Sequence, residues 1–258
     1  MNDPNGCILI DDNYHIFFQY NPLDATPGRA HWGHTITKDF IHFEICTIAL
    51  TPDMIYESIG CWSGSAIKKD NKLFLIYTNN DNGIQQQSIA ASSDDNYQTF
   101  IKDKNNPIIK SELLPVHTDI HAFRDPYIFY EDGFYYLLAG ARDNRGYGKI
   151  LLFKSNDLYK WEYINTIMRS NLMGNPGIFE CPSIKKIGDK YLLVASINLI
   201  KTKNHKYQNF ASTVAVIGKL NLSIGEFKHG QLVELDVGFD YYAPQIFNND
   251  DERIITVG

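Results

Sequence analysis

The stretch that decides the fold is Met1-Asn2-Asp3-Pro4-Asn5-Gly6, because its carboxylate-proline pairing returns as Phe123-Arg124-Asp125-Pro126 and, with a glutamate, as Phe179-Glu180-Cys181-Pro182. Alone, Asp-Pro-Asn-Gly reads as a tight turn: proline presets φ, and Asn-Gly accepts positive φ. All three copies, however, occupy one phase of an internal repeat. Five short runs of β-branched and aromatic residues, at 14–20, 72–78, 134–140, 190–196 and 253–258, begin 56 to 63 residues apart. Asp3, Ser63, Asp125, Glu180 and Gln245 stand 8 to 11 residues before these runs, each opening a further strand-like segment. A third segment follows in the first four units, at 31–44, 87–102, 148–163 and 212–229.

Short strands joined by polar turns and repeated in this way predict an all-β fold, a five-bladed β-propeller of four-stranded sheets with an incomplete fifth blade. The period exceeds the roughly 40–50 residues of common propeller repeats, which long inter-strand loops accommodate. In a propeller the first strand of each blade lines the central channel, so equal phase becomes proximity. Asp3, Asp125 and Glu180 are therefore expected at one mouth.

Composition fits a single folded domain over residues 1–258, with 44% apolar and 13% aromatic content and no helical stripe. A formal charge of −6 without a basic stripe argues against a nucleic-acid partner. No stretch of about 18 apolar residues and no signal peptide is present, so neither a membrane span nor export is expected. Cys7, Cys46, Cys61 and Cys181 show no Cys-x-x-Cys spacing, which points to free thiols in the cytoplasm rather than disulfides or a zinc site.

In the family's order, Met1–Gly6 is joined by the motifs at 18–22 (FQYNP), 32–34 (WGH), 61–66 (CWSGSA), 123–126 (FRDP), 180–182 (ECP) and 240–245 (DYYAPQ). With these the chain resembles glycoside hydrolase family 32, the invertases, sucrose-6-phosphate hydrolases and fructan hydrolases. The resemblance implies a five-bladed propeller and retaining hydrolysis of terminal β-fructofuranosides, with a small carbohydrate as substrate and no cofactor or metal. It assigns Asp3 as nucleophile, Glu180 as general acid/base and Asp125 as transition-state stabiliser. It also places Asn2, Gln19, Trp62, Ser63, Arg124 and Asp240 around the fructosyl ring. A retaining glycosidase needs two carboxyl groups about 5–5.5 Å apart, one attacking and one giving and taking a proton. Glu180 lies in sequence between Phe179 and Cys181, company that favours a protonated carboxyl, whereas Asp3 has polar neighbours that favour the ionised form.

Blander readings stand beside these. Trp62 suits a blade core as well as a sugar platform, and Asp240 suits a plain turn as well as a contact to Glu180 or sugar. His31, His34 and His42 read as core or rim histidines, and residues 140–149 (GARDNRGYGK) as a hairpin loop, with Arg142, Arg145 and Lys149 as candidate phosphate contacts on a solvated rim. Departures from the family pattern are Ser183 after Cys-Pro, Pro27 where a tryptophan is usual, and the lack of a lead-in motif and of a C-terminal β-sandwich. A monomer is expected. Fructosyl transfer and a non-enzymatic sugar-binding propeller are the alternatives to hydrolysis.

Overall fold

The computed structural model describes residues 2–170, 177–198, 206–250 and 252–258, so Met1 of the opening motif lies outside the described residues. Strands account for the regular structure of these segments, apart from one 3-10 turn at Ser111–Leu113. The first sheet contains β1 (Asn2–Ile10), β2 (Asn13–Tyr20), β3 (His31–Thr37) and β4 (Phe43–Ile45). The second contains β5 (Gly60–Lys69), β6 (Lys72–Asp81), β7 (Ile84–Ser92) and β8 (Phe100–Lys102). The third is β9 (Thr118–Glu131), β10 (Phe134–Asp143), β11 (Gly148–Ser155) and β12 (Trp161–Arg169). The fourth is β13 (Phe179–Ile187), β14 (Lys190–Asn198), β15 (Ala211–Asn221) and β16 (Glu226–His229), with β17 (Val233–Glu234) pairing on β15. A separate antiparallel pair, β18 (Gln245–Ile246) and β19 (Thr256–Val257), closes the series.

Local chemistry explains the up-and-down order. Consecutive residues of positive φ, Asp11 with Asp12 and Asp132 with Gly133, close the β1–β2 and β9–β10 hairpins and match the strand twist. Side chains alternate between the two faces of each sheet, and both faces are apolar because a blade is covered on both sides. In β10 and β11, Leu137, Ala139, Leu151 and Phe153 join Ile76 and Ile89 of the second sheet. The intervening Tyr136, Leu138, Ile150 and Leu152 join Phe179, Leu193 and Val214 of the fourth. Gly140 sits at a close approach of these two blades: a Cβ there would lie 2.4 Å from the Phe179 carbonyl oxygen.

The four sheets are the blades of a propeller, and the opening strand of each is innermost: β1 packs on β5, β5 on β9 and β9 on β13. β18 packs on both β13 and β1. Below the mouth the axis is tied together by Asn248. Its side-chain amide donates to the carbonyls of Ala66 (2.8 Å) and Ile128 (3.0 Å), and its Oδ1 accepts from the Tyr127 hydroxyl at 2.9 Å. Its backbone bonds Cys7 and Leu9 of β1. Gln245, which the repeat groups with the mouth residues, instead reaches across the axis, donating to Gly64 O at 2.6 Å and accepting from the Cys7 amide at 3.1 Å.

Several local expectations change in three dimensions. Residues 3–6 are not a turn but part of β1, and the 253–258 run contributes only the two residues of β19. Most of 140–149 belongs to β10 and β11, with the turn confined to 144–147. Arg142 donates to Asp119 at 2.6 Å and Arg145 to Asp143 at 3.1 Å, so both rim arginines already have carboxylate partners.

Replacing Asn248 with Ala removes the side-chain donor from two buried carbonyls at once and leaves the Tyr127 hydroxyl with the Ile246 carbonyl as its acceptor. The expected loss is at least about 2 kcal/mol, since each unsatisfied buried group costs about 1–3 kcal/mol. Urea unfolding should show a lower midpoint with an unchanged slope, and an unaltered midpoint would refute the axial tie.

Candidate active site

One recurring irregularity builds the mouth. In β1, Asn2 pairs with Gln19 and Pro4 with Phe18, leaving Asp3 over; in β5, Trp62 pairs with Thr78 and Gly64 with Tyr77, leaving Ser63 over. In β9, Asp125 and Pro126 face Ala139 alone, and in β13, Cys181 and Pro182 face Ala195 alone. Each is a β-bulge, which bends the strand and re-aims a side chain. Proline suits such a position, because it has no N–H for the ladder. The sequence carries the same pair once more at Ala243-Pro244, and Asp125, Cys181 and Ala243 all adopt positive φ, at 60°, 48° and 52°.

These bulges correct the phase read from the repeat. Asp3, Ser63, Asp125 and Cys181 are equivalent, whereas Glu180 is one residue earlier and corresponds to Asn2, Trp62 and Arg124. Ser63, Asp125 and Cys181 all stand 9 residues before the next run, Glu180 stands 10 and Asp3, with a further register shift between Asn5 and Ile8, stands 11, so the offset alone does not fix the phase.

Around Asp3 the polar groups form a closed ring. Asn2 Nδ2 donates to Asp3 Oδ1 at 3.1 Å and to Gln19 Oε1 at 3.3 Å; Gln19 Nε2 donates to Ser63 Oγ at 2.6 Å; Ser63 Oγ donates to Asp3 Oδ2 at 3.1 Å. Both oxygens of Asp3 thus have a donor. Glu180 is held as firmly from the other side. Arg124 Nη2 donates to its Oε1 at 2.5 Å, and the Tyr242 hydroxyl and Asn198 Nδ2 donate to its Oε2 at 2.6 and 3.3 Å. Of the apolar company expected for this carboxylate, Phe179 points to the opposite face of the strand and is buried in the blade, whereas Cys181 lies in the bulge and its thiol is within electrostatic reach of Asp125, Asp3 and Glu180.

Asp125 lies between the two. Its backbone N–H donates to Thr78 Oγ1 and its Oδ2 accepts from the Cys181 N–H, each at 3.0 Å; that amide is the one the β13 bulge frees from the ladder. Burial is the main influence on its carboxyl and pushes the pKa up to about 7. The Arg124 guanidinium, 3.9 Å away, and the Cys181 N–H oppose this, while the charges of Glu180 and Asp3 add to it. The three carboxyl groups from three blades therefore sense one another.

Beside Asn2 and Gln19 a cavity of about 680 Å³ opens, walled by the 21–30 loop, Ile59 and a half-buried Trp62. Trp62 is thus a wall of the cavity, not a blade-core residue. A second cavity of about 600 Å³ lies at the other end of the inner strands, around Ile67, Phe129 and Ile184. None of the three carboxylates lines either cavity; the first adjoins them through Asn2 and Gln19, which belong to the hydrogen-bonded ring around Asp3. Asp240 is exposed on the loop before β18, and no described hydrogen bond joins it to the cluster. Tyr242, two residues on, makes the contact to Glu180. Sequence reasoning missed it, although it precedes Ala243-Pro244 as Glu180 precedes Cys181-Pro182.

His15 and His34 stack in the first blade with ring nitrogens 3.0 Å apart, and His42 bonds Asp39. Among the described residues no three His, Cys, Asp or Glu side chains are grouped to hold a metal ion. The four cysteines are free, and among the described residues no helix is long and apolar enough to cross a membrane.

Carboxylates gathered at one mouth of a propeller form a site suited to acid–base chemistry, and similarity to known proteins is specific. Residues 1–258 match the N-terminal domain of glycosyl hydrolases family 32, and the chain belongs to that family. It is 33% identical to sucrose-6-phosphate hydrolase of Bacillus subtilis, over 99% of this chain and 53% of that protein. To the enzyme of the same name from Klebsiella pneumoniae it is 36% identical, over 100% and 55%. It superposes on the Bombyx mori family 32 β-fructofuranosidase with a TM-score of 0.86 at 32% identity, covering 97% of this chain and 53% of that one. On sucrose-6-phosphate hydrolase from Lactobacillus gasseri the TM-score is 0.87 at 30% identity, covering 99% and 52%. The chain spans about half the length of the relatives it matches.

A carboxyl raised to about 7 by burial makes stability depend on pH. The folded protein binds a proton at Asp125 that the unfolded chain, with an ordinary carboxylate, has already lost. This contribution is fully present below the unfolded pKa of 3.8 and is lost as pH rises through about 7. An Asp125→Asn variant should therefore gain stability relative to the parent between about pH 4 and 7, then hold a constant difference. Urea unfolding at pH 4.5, 6 and 8 checks this, and a pH-independent difference would contradict it.

Proposed function

We propose that the chain is the catalytic propeller of a retaining β-fructofuranosidase that hydrolyses the terminal fructosyl bond of sucrose, sucrose 6-phosphate or short fructans. The observation that carries this reading is the convergence of Asp3, Asp125 and Glu180 from three blades on one mouth, each carboxylate held by a different set of donors. Family membership and relatives named sucrose-6-phosphate hydrolase and β-fructofuranosidase support it. A variant of the Bombyx mori enzyme, solved in complex with sucrose, supports the substrate class. The position of β18 between β13 and β1 supports reading β18 and β19 as part of a fifth blade.

In this reading Asp3 attacks the anomeric carbon, while Glu180 gives its proton to the leaving oxygen. The covalent fructosyl-enzyme is then hydrolysed by water that Glu180 deprotonates. Asn2 and Ser63 keep the Asp3 oxygens aimed, leaving lone pairs free for attack. Arg124, Tyr242 and Asn198 hold Glu180 in one orientation through proton donation and return. Asp125, protonated for part of the time near neutrality, both donates to and accepts from ring hydroxyls.

Sucrose incubated with the chain should yield glucose and fructose in equal amounts, whereas excess glucose marks transfer to sugar. Asp3→Asn and Glu180→Gln should each lower turnover at least about a thousandfold with the fold intact by circular dichroism. Activity surviving either substitution would reject the assignment.

A further inference from the structure

A buried ion pair behind the cavity wall has no role in the chemistry above. Glu57 is fully buried in the connection between β4 and β5, and its carboxylate is saturated. Lys102 Nζ and the Met54 N–H donate to its Oε2 at 2.5 and 3.1 Å, and the Tyr77 hydroxyl donates to its Oε1 at 2.6 Å. Lys102 ends β8, the outermost strand of its blade. The same ammonium also donates to the Thr51 carbonyl at 2.5 Å and to Asp53 Oδ1 at 2.6 Å, gathering several points of one loop.

That loop is tied onward to the cavity. Arg29, from the 21–30 loop, donates to the carbonyls of Pro52 at 2.5 Å and Glu57 at 3.2 Å, strapping one loop to the other. Just beyond, the chains meet backbone to backbone: the Cys61 N–H donates to Ala30 O at 2.8 Å. A Cβ on Gly60, whose φ is +144°, would lie 2.5 Å from the Ala30 nitrogen. Trp62 follows two residues later. Both walls of the cavity beside Asn2 and Gln19 are therefore set from behind. A buried ion pair adds little net stability over an apolar pair of equal volume, because desolvation offsets attraction. Its directed hydrogen bonds supply something else here, a fixed loop conformation.

We propose that Glu57 and Lys102 are positioning residues that set the width of the sugar-binding cavity, and with it substrate affinity, without touching the sugar, and that Arg29, itself in the cavity wall, straps its loop to theirs. The inference rests on the fructosidase reading.

The test compares the full chain with Asp53→Ala and Glu57→Gln. Asp53 is exposed, stands outside the cavity lining and accepts from Lys102, so its removal keeps the test valid even where the change at the buried Glu57 prevents folding. In sucrose turnover, KM should rise about fivefold or more, while kcat stays within about twofold. In an inactive Asp3→Asn background, the Kd for fructose, measured by calorimetry, should rise by the same factor. An unchanged KM and Kd in folded variants, or kcat falling with the folded fraction at constant KM, overturns the positioning role. If the unaltered chain turns over no sucrose, the fructosidase reading fails, and fructose calorimetry still decides on the positioning role. No fructose binding by the Asp3→Asn chain overturns both.

Discussion

An extra residue in the innermost strand of each blade is the constraint on which the mouth depends. A regular strand alternates its side chains between two blade interfaces, and in this protein both interfaces are filled with apolar groups. A carboxylate in such a strand would be buried without partners. The bulge breaks the alternation once, at the same height in every blade, and turns Asp3, Ser63 and Asp125 out of the interfaces towards the axis. It also releases an amide from the ladder, and in β13 that amide, from Cys181, becomes a donor to Asp125.

Gathering three acidic groups in one place requires compensation, and Arg124 provides most of it. Its guanidinium donates to Glu180 across the boundary between the third and fourth blades and lies near Asp125. Gln85 accepts from another of its nitrogens at 3.3 Å. The cation is itself largely buried, so the cluster is a charge network in which no member faces water alone. Neutral donors complete it: Ser63 and Asn2 for Asp3, Tyr242 and Asn198 for Glu180. One carboxyl, Asp125, retains its proton to higher pH, chiefly because it is buried, with the neighbouring charges of Glu180 and Asp3 adding to the effect.

Much of this was legible in the residues. The runs of β-branched and aromatic side chains marked the second strand of each blade, the spacing exposed the repeat, and the carboxylate-proline pairs located the mouth. Asp-Pro-Asn-Gly has the composition of a turn, yet its place in the repeat marked the start of a strand, and it lies inside β1, because a strand with bulges also wants proline and positive φ. Errors came where a motif offers more than one polar group. Asp240 drew attention as the acid of its motif, while the group that reaches Glu180 is the hydroxyl of Tyr242. Phe179 misled for a simpler reason: successive residues of a regular strand point away from one another.

By itself the sequence determined the all-β class, the repeat and the proline-flanked positions at which the inner strands bulge, because hydrophobic periodicity and proline placement act over a few residues. Tertiary structure decided which groups touch. The Arg124–Glu180 pair spans 56 positions, the Tyr242–Glu180 bond 62 and the Asn248 tie up to 182. The Glu57–Lys102 pair beneath the cavity wall has no local signature at all, since a buried ion pair between a loop and an outer strand depends only on how the blades stack. Those contacts follow from a one-residue shift in strand register, and register is set by packing across blades that no local pattern records.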